Sequence, residues 1–264
     1  MKQSNRHEHL VEKLKKVYNS RPLSKESLKR FMSEEITNHV YETNALEGST
    51  LTFRETDLVI NHGVTVDKKQ IWEIDDAIGT KKAFEFILNT LNEQLTIKII
   101  KTINGLIQFR YPTEAPFRTE HLRIRGSDVI LANPLNVPIL IDEYVVSHLE
   151  TFSKYDLRSN PNQISDFIED LALTHVTFER IHPFRDGNGR TGRLMINFES
   201  IKQGLLPVTI SYENRKEYLD GLQQYDQSGD IEGLTLVMSK AVEKGLDNFI
   251  YLVYGDINDD SSIQ

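Results

Sequence analysis

Between His182 and Arg193 the chain reads "HPFRDGNGRTGR", a histidine, an acid, an amide and three arginines interleaved with three glycines. Pro183 has no N–H and disfavours helical geometry in the residue before it, so His182 is expected at a helix-to-loop junction. Gly187, Asn188 and Gly189 tolerate positive φ and let a ligand approach the backbone closely. A helical pattern resumes at once in "RTGRLMINFESI". A glycine loop that enters a helix presents unpaired N–H groups, which favours a phosphate. Arg190 and Arg193, three apart, rise from one side of that first turn and are placed to grip further phosphate oxygens. This set fits phosphoryl or nucleotidyl transfer: His182 accepts a proton from the nucleophile, Asp186 holds a divalent cation, and arginines and amides hold phosphates. The competing structural reading is a polar turn that merely caps two helices.

Three other motifs fail on inspection. "GNGRTG" satisfies G-x-G-x-x-G, but the dinucleotide fingerprint follows a strand and this loop follows a helix pattern. A calcium loop starting at Asp186 would need glycine at Thr191 and glutamate at Asn197. His175, Glu179 and His182 stand at helical spacings, yet the H-E-x-x-H pattern of a zinc site is absent.

Helix-period patterns deliver and surround this loop. Ile164, Phe167, Ile168, Leu171, Phe178 and Ile181 mark one buried face of a helix that starts after Asn160-Pro161 and ends at His182. Upstream, Leu28, Phe31, Met32, Ile36 and Val40 predict a helix from a Ser24 cap towards Leu46, stopping near Gly48. Thr52 with Glu55 and Asp67 with Gln70 resemble capping boxes, which predict helices over about 53–62 and 68–93. Further helices are expected over about 96–109 and 137–155, from Ser211 to about 226, and from Asp230 to about 252. "LRIRGSDVIL" alternates on both sides of Gly126-Ser127-Asp128 and predicts a short β-hairpin. Trp72, Phe84 and Phe86 are expected in the core, and "GDINDDSSIQ" as a frayed polar tail.

The composition bounds what such a chain can be. Its 264 residues, 39% hydrophobic and 27% charged, are those of one elaborated globular domain. A net charge of -8 gives no global reason to bind nucleic acid. The absence of cysteine excludes disulfides, thiolate ligands and a cysteine nucleophile. No apolar h-region or spanning segment is visible, so no membrane association is expected and the cytoplasm is the expected location. The fold class expected is all-α with a small β-hairpin, in one structural unit: an N-terminal helical region over 1–95, a core over 96–205, and C-terminal helices over 206–264 packed on that core.

The stretch from His182 to Arg193 matches every fixed position of the Fic family motif, H-P-F-x-[D/E]-G-N-G-R-x-x-R, and the resemblance extends from about Thr96 to Gln203. Related phosphotransferase toxins carry a lysine and lack the second glycine, whereas Gly189 and Arg190 look like the nucleotidyl-transferring branch. The resemblance implies a protein adenylyltransferase. His182 would deprotonate a Ser, Thr or Tyr hydroxyl of a target protein, which can include the chain itself, and that oxygen would attack the α-phosphorus of ATP. Asp186 would coordinate Mg2+. Gly187, Asn188 and Gly189 would hold the α- and β-phosphates, with Arg190 and Arg193 on the outer ones. The hairpin, with Ile124, Arg125, Gly126, Ser127, Asp128 and Val129, is similar to the family's target-binding flap, which takes up an extended segment by strand addition. Phe184 would anchor the loop in the core.

"TNALEG", Thr43 to Gly48, resembles the family's inhibitory motif, [S/T]-x-x-x-E-[G/N]. Without the downstream loop, Glu47 would read as an exposed acid at a helix end. With it, a glutamate against Arg193 would occupy the guanidinium meant for the γ-phosphate, and Thr43 would fix its helix. Two rivals remain at this level: removal of AMP from a modified protein, with Glu47 directing the water, and a nucleotide-sensing module that performs no transfer. The motif is silent on base preference and target identity, and it is compatible with a homo-oligomer.

Overall fold

A computed structural model describes residues 3–108, 114–123 and 129–255. Ten α-helices follow one another among them: α1 (Gln3–Tyr18), α2 (Lys25–Leu46), α3 (Phe53–His62), α4 (Ile71–Thr90) and α5 (Ile97–Gln108), then α6 (Val137–Phe152), α7 (Ile164–Ile181), α8 (Asn188–Lys202), α9 (Arg215–Ser228) and α10 (Glu232–Tyr254). No strand occurs among the described residues. Of the expected hairpin, residues 122, 123 and 129–131 are irregular, and 124–128 lie outside the described residues, as do residues 256–264 of the expected tail.

Local signals explain most helix starts. The Ser24 hydroxyl accepts the Ser27 N–H ahead of α2, and Thr52 with Glu55 forms a reciprocal capping box ahead of α3. Both satisfy N–H groups that a first turn leaves unpaired. The start of α4 differs from the expected box at Asp67. Lys68 takes a positive φ of 59°, which ends any helix begun there, and Glu73 performs the capping instead. Its carboxylate accepts the N–H groups of Gln70 (2.9 Å) and Thr50 (2.5 Å) and the Thr50 hydroxyl (2.8 Å). The later start puts Trp72 in a solvent-facing first turn, 41% exposed rather than in the core. The expectations near 161 and 211 each resolve into a short 3-10 turn followed by the α-helix.

Two apolar clusters hold the bundle together, and α7 and α8 serve both. The first gathers Leu10, Val11 and Leu14 of α1, Phe167 to Val176 of α7, and the inner faces of α9 and α10. The second gathers α2 through α6 with Phe178 and Ile181 of α7 and Leu194, Met195 and Phe198 of α8. Helix α2 also spans the division, since Ile36 and Val40 enter the second cluster and Leu46 the first. Consequently the α7–α8 loop is fixed from both sides, and the end of α2 is carried to it. Helix α1 is not signalled by the sequence, because its many charged residues dilute its apolar stripe.

Candidate active site

The loop is built by commitments of its own backbone. His182 closes α7 in the left-handed region (φ 48°, ψ 61°), with its N–H still bonded to Phe178 O. Phe184 is fully buried, its ring 5.6 Å from that of Phe117. The Asn188 side chain accepts the Phe184 N–H at 2.9 Å and donates to the Phe184 carbonyl at 2.8 Å. Its side chain is therefore a brace of the loop. Gly187 adopts φ 73° ahead of α8. Its carbonyl accepts both the N–H and the hydroxyl of Thr191, and Asn104 of α5 donates to Asp186 O (2.9 Å) and Thr191 Oγ1 (3.0 Å).

His182 is mostly enclosed, and burial lowers its pKa, which keeps the imidazole neutral near pH 7. Its Nδ1 lies 3.3 Å from Glu179 O, an arrangement that leaves Nε2 with the lone pair. Asp186 is the opposite case, with a side chain 71% exposed at the rim of the loop. Among the described residues no cluster of three or more acidic or histidine side chains could hold a metal ion unaided. A single exposed carboxylate ahead of a helix N-terminus fits Mg2+ only when shared with a bound phosphate, since that ion binds through one or two carboxylates plus substrate phosphates.

Both arginines are already engaged. Arg190 Nη1 lies 2.6 Å from Asp76 Oδ2 on α4, and its Nη2 lies 3.8 Å from Asp186. Arg193 is buried and donates from Nε to Thr43 Oγ1 (2.7 Å), and from Nη2 to Thr43 O (3.2 Å) and Glu47 Oε1 (2.5 Å). Tyr218 lies on its other side, with its hydroxyl 3.5 Å from Nη1 and 2.8 Å from His175 Nε2. The Glu47 side chain is 40% exposed, so its desolvation opposes ionisation only in part; the Arg193 guanidinium overrides it and holds the carboxyl below its ordinary value. Glu179 lacks such a partner, and burial pushes its carboxyl up to about 7. Glu47, Glu179, His182, Gly189, Arg193 and Tyr218 line one cleft of about 400 Å3.

Residues 94–199 match the Fic/DOC family. The chain carries a Fic domain. It is 30% identical over 243 residues to the protein adenylyltransferase Fic of Nematostella vectensis, covering 90% of this chain and 54% of that protein. The chain spans about half the length of the curated relatives it matches. Among solved structures it is similar to a Fic-domain-containing signalling protein from Bacteroides thetaiotaomicron, with a TM-score of 0.81 and 24% identity over 95% of this chain and 97% of that one. It is also similar to Fic-1 from C. elegans, with a TM-score of 0.78 and 25% identity over 94% and 72% of the respective chains.

Beyond its motif, the Fic domain and its neighbouring helices use four residues that the sequence reading did not assign to the loop: Asp76, Asn104, Arg118 and Tyr218. Asn104 carried a legible signal, a polar residue on the face of α5 that holds Ile100, Ile103 and Ile107. The other three meet the loop only through tertiary packing. Of the flap residues, Val129 lines the cleft, while Ile124, Arg125, Gly126, Ser127 and Asp128 lie outside the described residues. No described helix is long and apolar enough to cross a membrane.

Proposed function

We propose that this chain is a self-inhibited protein adenylyltransferase, moving AMP from ATP to a Ser, Thr or Tyr hydroxyl of a protein target. The observation that carries the reading is the meeting at one cleft of His182, whose Nδ1 faces Glu179 O and leaves Nε2 for a proton, and Arg193, taken up by Thr43 and Glu47. In this scheme His182 Nε2 takes the hydroxyl proton, the oxygen bonds to the α-phosphorus, and the bond from that phosphorus to the bridging oxygen breaks to release pyrophosphate. The N–H groups of the first turn of α8 face the phosphates. Asp186 would hold Mg2+, which supplies positive charge against the leaving pyrophosphate. The segment 124–129 would pair with an extended target segment.

Self-inhibition follows from competition for one guanidinium. While Glu47 bonds Arg193, the outer phosphate loses its partner and the α-phosphorus is not held in line, a misplacement that costs on the order of 100-fold in rate. We read residues 1–95 as the region that delivers this brake, 96–205 as the catalytic core and 206–264 as its packed support. The test is transfer from α-labelled ATP: Glu47→Gly should raise labelling by about 100-fold, and His182→Ala should abolish it in either background. Equal labelling by all variants would defeat the reading.

A second reading rests on Glu47 and His182 lining the same cleft, where the carboxylate could direct water at an AMP-modified hydroxyl. In that case Glu47→Gly would lose AMP removal from a modified target, whereas an adenylyltransferase would show no such loss.

A further inference from the structure

We propose that Arg118 is a positioning residue for His182, locking the histidine's backbone into its left-handed conformation from the loop ahead of α6. Arg118 lies in an irregular segment and is only 4% exposed. Its side chain donates to backbone carbonyls. Nε donates to His182 O at 2.7 Å, Nη2 to Ile181 O at 3.2 Å and to Ala132 O at 2.5 Å, and Nη1 to Glu120 O at 2.9 Å. Its own backbone N–H donates to Pro183 O at 2.9 Å. Three consecutive carbonyls, 181 to 183, are thus held by one residue.

Those carbonyls are the ones that need an outside partner. The last carbonyls of a helix have no intrahelical donor, and Pro183, which follows His182, has no N–H to offer. Because His182 turns left-handed, a conformation disfavoured for a residue with a Cβ, its geometry persists only if the surroundings over-determine it. A planar guanidinium with five N–H groups is suited to that, since it reaches carbonyls pointing in different directions without rotating. Lysine offers one flexible nitrogen instead. The same guanidinium ties down Glu120 and Ala132, which flank the segment 121–131 in sequence, and Ala132 N also bonds Arg180 O at 3.3 Å. The backbone at Glu120 and Ala132 and the backbone of the histidine are therefore tied to one rigid group.

This inference rests on the transferase reading for its kinetic consequence and on geometry alone for its structural one, so two readouts separate them. Arg118→Met and Arg118→Lys are made in the Glu47→Gly background, and each is assayed for transfer, ATP affinity and the NMR titration of the His182 imidazole. The expected result for Arg118→Met is a fall in kcat of about 10- to 100-fold, the cost of a displaced catalytic group. ATP affinity should stay within about twofold, because no phosphate-facing N–H is touched, and the His182 resonance and its midpoint should shift. Arg118→Lys should recover part of the kcat. An unchanged His182 titration in a folded Arg118→Met protein overturns the proposal. Loss of cooperative folding in both variants also overturns it, because Arg118 would then hold the molecule rather than the site. If the Glu47→Gly parent itself transfers no AMP, the transferase reading fails, yet a moved His182 titration still establishes the positioning role.

Discussion

Gly189 shows how closely Glu47 is fitted against Arg193 at the scale of one residue. A Cβ built there would lie 2.6 Å from Glu47 Oε1 and 3.0 Å from Arg193 Nη1, so the Glu47 carboxylate occupies the space that any side chain would need. The glycine is required less for its φ, which is ordinary, than for the approach it permits. Gly189→Ala should therefore force the end of the Glu47 side chain away from Arg193 and destabilise the protein by about 1 kcal/mol, the scale of one lost part-exposed ion pair. In the Glu47→Gly background the clash with the carboxylate is gone, and the same substitution should cost much less. Urea unfolding of the four proteins in the cycle checks this. Additive effects would mean that Gly189 and Glu47 do not compete for the same space.

At the scale of elements, α2 and α5 do different work on the loop. Helix α5 supplies Asn104, whose amide joins Asp186 O and Thr191 Oγ1. Asn104→Leu fills the volume but takes the donor from the buried Thr191 Oγ1, while Asp186 O keeps the Gln108 Nε2 donor at 3.1 Å; the expected cost is about 1–3 kcal/mol, seen as a lower urea midpoint at unchanged slope. An unchanged midpoint would show that the loop holds its shape without α5. The α2 helix and its capping were legible in the sequence because Ser24 and a five-residue apolar stripe act locally. So was the loop, whose glycines and proline dictate its backbone. The start of α4 was not, since Lys68 breaks the pattern at Asp67 and Glu73, besides its local bond to the Gln70 N–H, is held by Thr50, beyond the reach of a local pattern. Nor was α1 legible, because a helix with so many charges declares its buried stripe only when α7 and α10 are present to cover it. Arg118 and Asp76 were invisible for the same reason: each is an ordinary charged residue until tertiary packing sets it against the loop.

Across the whole molecule, buried histidines make the fold sensitive to acid. His39, His148 and His175 are each held neutral by burial, with pKa values lowered to about 3. His39 bears most directly on the Arg193 contacts, since it lies on α2 one turn before Thr43. It packs edge-on to Phe84 of α4 and, at Nδ1, faces the Asn197 amide of α8 at 3.3 Å. Burial lowers its pKa first and the Arg193 charge adds to it. The folded value lies below the unfolded one near 6.5, so the stability this group contributes is complete above about pH 6.5 and is lost as pH falls towards 3. The slope for one such proton is about 1.4 kcal/mol per pH unit. His39→Gln keeps a hydrogen-bond acceptor for Asn197 without a proton-binding site. Between pH 7 and 4.5 the stability of the parent relative to this variant should therefore fall by nearly that slope at each unit below 6.5. The other two histidines and the buried carboxyls titrate in both proteins and cancel in the difference. A difference that stays flat across the range would mean that His39 is protonated or exposed in the folded chain, and that acid does not loosen α2 through it.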